Sequence, residues 1–163
     1  MSAHVGIVMG SDSDLPHLEP CFRTLDEFGI SYCVDVISAH RTPEQAHEYG
    51  TSARSRGLKI IIAAAGGAAH LAGVMASLTT LPVIGLPIPT DMDGMDSLLS
   101  TVQMPSGIPV ATVGVGRGAN AAVLAAQILG VDDESYAGKL KAYKEKLVQK
   151  VQEKNRNLRN KLS

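Results

Sequence analysis

The sequence predicts an α/β protein in which a mainly parallel, five-stranded sheet lies between two layers of helices. Short apolar runs alternate with segments whose apolar residues recur at helical spacing, which is typical of successive βαβ units. The chain has 163 residues, of which 45% are hydrophobic, so one domain with a buried core is expected. Its two cysteines exclude a disulfide framework and a four-cysteine zinc site as the basis of this fold.

The first strand and helix are predicted from the start of the chain. Residues 5–9 form an apolar run that predicts a buried strand, and residues 13–28 repeat apolar residues along one helical face. Pro20 lacks an amide hydrogen, so it predicts a kink or a late start of this helix. Gly29 predicts where the helix ends.

The second strand and helix have a sharper boundary between them. Residues 32–37 predict a strand, and Thr42 predicts the cap of the helix that follows. Pro43 suits the first helical position, and Gln45 stands in the capping-box place. The sequence therefore predicts a helix start stabilised by reciprocal side-chain caps.

The remaining segments continue the alternation of strands and helices. We expect strands over 59–65, 82–87 and 110–115, and helices over about 69–79, 94–102 and 118–129. Strands that alternate with helices form a parallel sheet covered on both faces. The expected architecture is a three-layer sandwich with a flavodoxin-like sheet and a C-terminal helix.

Charge divides the chain into two parts that its net charge of −1 conceals. Residues 1–138 carry 6 Lys and Arg against 14 Asp and Glu, whereas residues 139–163 carry 9 against 2. The acidic body excludes a broadly basic nucleic-acid surface, because phosphate backbones are bound by clustered Lys and Arg. We expect residues 1–132 to form the single α/β domain. Residues 133–163 are expected to form a basic helical extension that packs on this domain or on a neighbouring subunit.

Two further classes are excluded by what the sequence lacks. It contains no apolar run of membrane-spanning length and no signal-peptide pattern at its start, so a soluble, cytoplasmic protein is expected. No pair of His, Cys or acidic residues has convincing metal-ligand spacing, so no bound metal is expected.

Three polar segments follow predicted strands, at the edge of the sheet where such folds bind ligands. The first is Gly10-Ser11-Asp12-Ser13-Asp14, in which glycine permits a tight turn. The serines suit helix caps or contacts to a phosphate or hydroxyl, and Asp14 suits contacts to sugar hydroxyls. The spacing is not a dinucleotide-binding fingerprint. Caps alone explain this segment equally well.

The second polar segment is Ser38-Ala39-His40-Arg41-Thr42-Pro43. Histidine exchanges protons near neutral pH, so His40 is a candidate acid–base group. Arg41 offers a planar fork of donors for phosphate or carboxylate. A polar loop without chemistry is the alternative.

The third segment, residues 64–73, has six small residues before His70. Small residues let backbone amides approach a ligand, or they allow tight packing between helix and sheet. His70 is equally well explained as a hydrogen-bonded structural histidine. A later mixed segment, residues 95–105, indicates no chemistry, although its Met and Pro residues suit the lining of a pocket or an interface.

Taken together, these segments resemble the phosphoribosylaminoimidazole carboxylase catalytic subunit family, and within it the mutase branch. The resemblance covers about residues 4–130 and is carried by VMGSDSD (8–14), SAHRTPE (38–44), AAAGGAAHLAG (63–73) and MDSLLSTVQMPSGIPVATVGVG (95–116). It implies an isomerase of purine biosynthesis that moves a carboxyl group from the exocyclic nitrogen of an aminoimidazole ribonucleotide to ring carbon C4. No metal or organic cofactor is implied. The implied assembly is a homo-octamer with sites near subunit junctions.

The resemblance also implies roles for individual residues of domain 1–132. His40 is the expected proton-transfer group, and Arg41 is the principal cationic contact. Ser11 and Asp14 are expected to bind the phosphate and ribose. The other expected substrate-binding residues are Ser13, Ser38, Ala65, Gly66, Ala69, His70 and Leu71.

Three alternatives remain open from the sequence. The other branch of the family carboxylates aminoimidazole ribonucleotide directly with CO2. A non-catalytic, flavodoxin-like nucleotide-binding module fits the same fold, and the basic tail fits a nucleic-acid arm. The loop 115–120 is shorter than is usual in the family, so Arg117 is either a second cation for the site or an exposed residue.

Overall fold

The computed structural model describes residues 3–162, within which five strands and six α-helices alternate as predicted. In chain order they are β1 (Val5–Met9), α1 (Leu15–Phe28), β2 (Tyr32–Val36), α2 (Pro43–Ser52), β3 (Ile60–Ala65), α3 (Leu71–Leu78), β4 (Val83–Pro87), α4 (Met95–Val102), β5 (Ala111–Thr112), α5 (Gly118–Leu129) and α6 (Glu134–Leu162). A short 3₁₀ turn, Asp12–Asp14, leads into α1.

The sheet has the order β2-β1-β3-β4-β5, and every neighbouring pair is parallel. This is the flavodoxin-like order, so the predicted fold class is confirmed. In the central register, Val5 of β1 lies opposite Tyr32 of β2 on one side and Ile60 of β3 on the other. All five residues of β1 are buried, because helices cover both faces of the sheet.

Two apolar clusters form the core, one on each face of the sheet. Successive residues of β3 alternate between them, with Ile60 and Ile62 in the cluster beneath α1 and α5 and Ile61 in the cluster beneath α2 and α3. This alternation follows from the two-residue period of a strand. The carboxyl ends of the strands therefore remain as the edge that neither helical layer covers.

Helix α1 differs slightly from its prediction. It begins at Leu15, after the 3₁₀ turn, and it continues through Pro20, so the expected late start is wrong. Pro20 costs the helix one amide donor, but its carbonyl accepts the hydroxyl of Thr24 at 2.8 Å. The helix ends at Gly29 as predicted, where the left-handed backbone (φ 64°) suits glycine.

Strand β5 is much shorter than the predicted run of residues 110–115. Only Ala111 and Thr112 pair with β4 as a ladder. The chain then turns, with the amide of Arg117 donating to the carbonyl of Gly114 at 3.0 Å and Gly116 at φ 66°. The apolar run predicted a strand, but Gly114 within it and Gly116 just after it favour the turn that ends it.

Helix α6 contacts the body through its first half, as far as the ion pair between Lys146 and Glu27 at 2.8 Å. Tyr136 is buried in the core, and Tyr143 contacts the ring of Phe28. The ammonium of Lys139 donates to the carbonyl of Phe28 at 2.6 Å, a favourable place for a cation at the end of α1. Residues 144–162 are all exposed. Across residues 3–162, no helix combines the length and apolar character that crossing a membrane requires.

Candidate active site

A cavity of about 330 Å³ lies at the carboxyl edge of β1, β2 and β3. Its volume is at the lower end of the range for small-molecule sites. It is lined by Gly10, Ser11, Ser13, Asp14, Ser38, Ala39, His40, Arg41, Ala65, Gly66, Ala68 and Leu71. Three loops that are far apart in the sequence thus meet at one edge of the sheet, as the topology predicts.

The first loop is held by a capping box at the start of the 3₁₀ turn. The hydroxyl of Ser11 accepts the amide of Ser13 at 3.3 Å, and the carboxylate of Asp14 accepts the amide of Ser11 at 3.2 Å. Burial raises the pKa of Asp14, while its hydrogen bond to the Ser11 amide partly opposes that rise. The carboxyl group is therefore kept in a place that burial makes unfavourable for its charge.

The second loop is closed by Thr42, in a different way from the one predicted. Its hydroxyl donates to the carbonyl of Ser38 at 3.0 Å and accepts the amide of Ser38 at 3.1 Å. The hydroxyl makes no side-chain cap on α2, so the predicted capping box with Gln45 is wrong. Thr42 thus braces the segment that carries His40 and Arg41.

The third loop, Gly66–Ala69, is anchored by α4. The amide of Gly67 donates to the hydroxyl of Ser97 at 2.9 Å, and Gly67 has the left-handed φ of 65°. Ser97 is fully buried. Residues 95–105 indicated no chemistry in the sequence, because the hydrogen-bond partner of Ser97, Gly67, lies thirty positions earlier in the chain. The available signal was three hydroxyl residues on one face of a predicted helix, at 97, 100 and 101.

Two histidines from different loops meet beside the cavity. The Nε2 atom of His40 lies 2.9 Å from Nδ1 of His70, and the rings are perpendicular. One ring must supply the N–H and the other the lone pair for this hydrogen bond. A proton received by His40 at one nitrogen can therefore leave through the other, toward the exposed His70.

Charge in the cavity wall is sparse. Among its lining residues, Arg41 is the one permanent cation and Asp14 the one carboxylate. The amides of Ser11 and Ser13 already bond within their own loop. The hydroxyls of these serines also bond within the loop, Ser13 to Ser11 at 2.8 Å and Ser11 to Asp12 at 3.3 Å, so the guanidinium of Arg41 is the charged donor that the cavity lining presents to an anion. Arg117 is exposed and lies outside the lining set.

Most residues expected at the site are brought together by the fold. Ser11, Ser13, Asp14, Ser38, His40, Arg41, Ala65, Gly66 and Leu71 all line the cavity. Ala69 is fully buried behind its wall, and His70 lies on the far side of His40. Gly10, Ala39 and Ala68 line the cavity without having been singled out, although each belongs to one of the recognised motifs.

The part of the chain that the structure describes contains no group of three or more His, Cys, Asp or Glu side chains placed to hold a metal ion. The arrangement at the cavity offers an acid–base pair, a cation and hydroxyl groups around small-residue walls. Such a site can bind a small anionic molecule and move protons on it.

Comparison with known proteins places these loops in a wider context. The sequence profile of the AIR carboxylase family matches residues 4–150. A Pyrococcus horikoshii protein named N5-carboxyaminoimidazole ribonucleotide mutase is 56% identical over 155 residues, covering 94% of this chain and 88% of the relative. A Thermotoga maritima protein of the same name is 53% identical, covering 94% of this chain and 91% of the relative.

The fold is shared as well. The crystal structure of Treponema denticola PurE matches with a TM-score of 0.87 at 34% identity, covering 94% of this chain and 97% of that one. The matched region of the family profile contains all three loops of the cavity.

Proposed function

This protein belongs to the AIR carboxylase family, and we propose that it catalyses the mutase reaction of purine biosynthesis in the cavity between β1, β2 and β3. The activity is that of an isomerase-type enzyme, in line with relatives at 56% and 53% identity that are named for it. N5-carboxyaminoimidazole ribonucleotide becomes 4-carboxyaminoimidazole ribonucleotide. The observation that carries this assignment is the position of His40, on the wall of a cavity that small and hydroxyl residues line together with Asp14, Arg41 and Leu71.

The proton balance of the reaction suits a single histidine. When the bond between the exocyclic nitrogen and the carboxyl carbon breaks, CO2 leaves and the nitrogen takes up a proton. Carbon C4 then attacks CO2, and the proton on C4 must be removed. His40 donates the first proton and accepts the second, so the catalyst is restored without a net change in protons.

The cavity suits the intermediate stage, in which CO2 is free. Recapture requires that CO2 and the aminoimidazole stay together in reactive orientation. A cavity of about 330 Å³ leaves little room for separation, and the backbone of Ala65 and Gly66 allows the wall to approach the ring. Leu71 makes the same wall apolar, which disfavours water as a competitor.

The two ends of the substrate are assigned to different loops. Arg41 and the hydroxyls of Ser11 and Ser13 bind the phosphate, because charge-assisted and bidentate hydrogen bonds favour an anion there. Asp14 accepts from the ribose hydroxyls, and Ser38 with the Gly66 loop encloses the imidazole. His70 contributes through His40.

The assembly and location are part of the same proposal. The chain forms a homo-octamer in the cytoplasm, with its catalytic domain in residues 1–132 and with residues 133–163 packing on that domain and on a neighbouring subunit. Apolar side chains exposed on α4, beside the third loop, support an interface there: Met95, Leu99 and Val102 are 53%, 48% and 45% exposed. Multi-angle light scattering of the full chain tests the assembly.

The activity is tested by assaying the purified protein with N5-carboxyaminoimidazole ribonucleotide and, separately, with aminoimidazole ribonucleotide plus bicarbonate. Turnover of the first substrate, unchanged by added bicarbonate, is expected. Turnover of the second alone would identify a direct carboxylase, and turnover of neither would support a binding module.

A further inference from the structure

Helix α4 does more than cover the sheet, because its first turn holds the wall of the cavity from behind. The amide of Gly67 donates to the fully buried hydroxyl of Ser97 at 2.9 Å. The hydroxyl of Ser100 donates to the carbonyl of Asp96 at 2.7 Å and lies 3.4 Å from the carbonyl of Gly67. The Gly67 carbonyl accepts the amide of Ala69 at 2.8 Å, so the bond from the Gly67 amide to Ser97 is the main tie between this glycine and the helix thirty residues further along the chain.

A second contact reaches the neighbouring glycine. A Cβ atom placed on Gly66 would lie 3.0 Å from Cγ2 of Thr90, so Thr90 fills the space behind that residue. The hydroxyl of Thr90 donates to the carboxylate of Asp96 at 2.6 Å. Asp96 and Ser97 are adjacent in α4, so one helical turn secures both glycines of the wall.

The orientation of one peptide group follows from these contacts. The carbonyl and amide of a trans peptide point in opposite directions, and the described residues contain no cis peptide. With the Gly67 amide held toward α4, the carbonyl of Gly66 faces the other way. β4 and α4 lie on one side of β3, and the loops of β1 and β2 that form the cavity lie on the other.

We propose that Ser97 is a positioning residue for the reaction, which fixes the Gly66–Gly67 peptide so that the Gly66 carbonyl is presented to the cavity. The inference rests on the proposed function only in taking this cavity as the substrate site. Gly67 has a left-handed φ and the wide conformational range of glycine, so release of its amide from Ser97 is expected to let the Gly66–Gly67 peptide shift. Ser97 acts from outside the cavity, in whose lining it has no part.

The test is Ser97→Ala, with turnover, KM and secondary structure measured together. Loss of the acceptor leaves the Gly67 amide unpaired, so kcat is expected to fall about 10- to 100-fold, because small misplacements at a site have effects of that size. KM is expected to change less than about threefold, since the phosphate and ribose contacts lie on other loops. The matched control is Thr24→Val, which removes a buried helical hydroxyl while keeping its shape, in α1 and away from the third loop, and should retain wild-type kcat.

Two outcomes overturn the inference. Wild-type kcat in folded Ser97→Ala would show that the wall needs no anchor, and an equal loss in Thr24→Val would reduce the effect to a general loss of stability. His40→Asn, assayed beside them, separates this failure from failure of the proposed function: an active His40→Asn variant rejects the site itself.

Should Ser97→Ala not fold, Thr90→Val takes its place. This variant keeps the shape behind Gly66 but releases the hydrogen bond to Asp96. A severalfold lower kcat with unchanged KM is expected, and wild-type kcat would overturn the inference. In the wild-type protein, hydrogen exchange of the Gly67 amide should be well below the rate of an unprotected peptide, and exchange at that free rate would equally contradict it.

Discussion

The loops of the cavity and the distal half of α6 represent opposite uses of polar residues. The loops contain a single arginine and a single carboxylate in the cavity lining, yet hydroxyls of Ser11, Thr42 and Ser97 hold their backbone in place. The helix beyond Tyr143 carries 7 of the 15 Lys and Arg residues of the chain, and all its residues to position 162 are exposed. Charge density alone therefore does not locate the site; the density of backbone anchors does.

Replacing His40, the proposed acid–base group of the cavity, should have the largest effect on activity. His40→Asn is expected to lower kcat about 1,000-fold or more, near the upper range for removal of a general acid–base group. Binding of the ribonucleotide, measured by calorimetry, should change little because the phosphate contacts remain. His47→Asn, on an exposed face of α2, is the matched control and should behave as wild type. Near-normal turnover of His40→Asn would remove the basis of the proposed chemistry.

The next largest effect is expected at the cation. Arg41→Ala should raise KM about 10- to 100-fold, because hydrogen bonds to charged groups contribute about 1.5–3 kcal/mol. Arg41→Lys should recover only part of this loss, since an ammonium group lacks the planar fork. Arg117→Ala, outside the cavity, should leave KM unchanged. A larger effect at Arg117 than at Arg41 would move the phosphate away from the proposed position.

A smaller effect concerns stability and pH. Burial raises the pKa of Asp14, so the folded protein holds this proton more tightly than the unfolded chain does. The contribution of Asp14 to the free energy of unfolding therefore decreases as pH rises from the unfolded pKa, about 3.9, through the raised folded value.

Asp14→Asn should remove this dependence while keeping an acceptor for the Ser11 amide. Urea unfolding between pH 4 and 7 is expected to show a variant that gains stability over wild type as pH rises, together with weaker ribonucleotide binding. The exposed Asp12→Asn is the control. A variant that loses stability relative to wild type with rising pH would contradict the assigned direction.

The smallest effect on stability is expected from changes in the distal half of α6. Removing residues 148–163 should change the free energy of unfolding by about 1 kcal/mol at most, since surface changes of this kind are mild. Truncation after Gly138 should cost several times more, because it also removes Leu140 and Tyr143 from the core. Light scattering should show a smaller assembly for the variant that lacks only residues 148–163. An unchanged mass would reject a role of the distal helix between subunits.

Much of the fold was predictable because helices and strands differ in apolar period. The alternation located β1, β3 and β4 and the helices between them, and the topology then placed three polar loops at one edge. The limits of β5 were not predictable in this way, because Val113 and Val115 extend the apolar run while Gly114 and Gly116 turn the chain. Competition between nearby hydrogen-bond partners was not predictable either. Thr42 is a residue type that caps helices, but its hydroxyl bonds to the backbone of Ser38 instead.

The residues of the candidate site were more predictable than the hydrogen bonds that hold them in place. His40 and Arg41 follow a strand directly, so their place at the edge depends only on local order. The contact between His40 and His70 joins two loops, and the bond from Gly67 to Ser97 joins a loop to a helix. Such pairings depend on packing between distant segments, which no residue spacing in a single chain encodes.

The assignment of the cavity with His40 and Arg41 as the substrate site is tested most directly by a crystal structure of the wild-type protein with 4-carboxyaminoimidazole ribonucleotide bound. The phosphate is expected at Arg41 and Ser11, with a ring nitrogen of His40 within hydrogen-bonding reach of the reacting part of the imidazole, about 3 Å. Ribonucleotide bound elsewhere with His40 out of contact, for example in the groove that Gln127 of α5 and Leu140 of α6 line, would contradict this assignment.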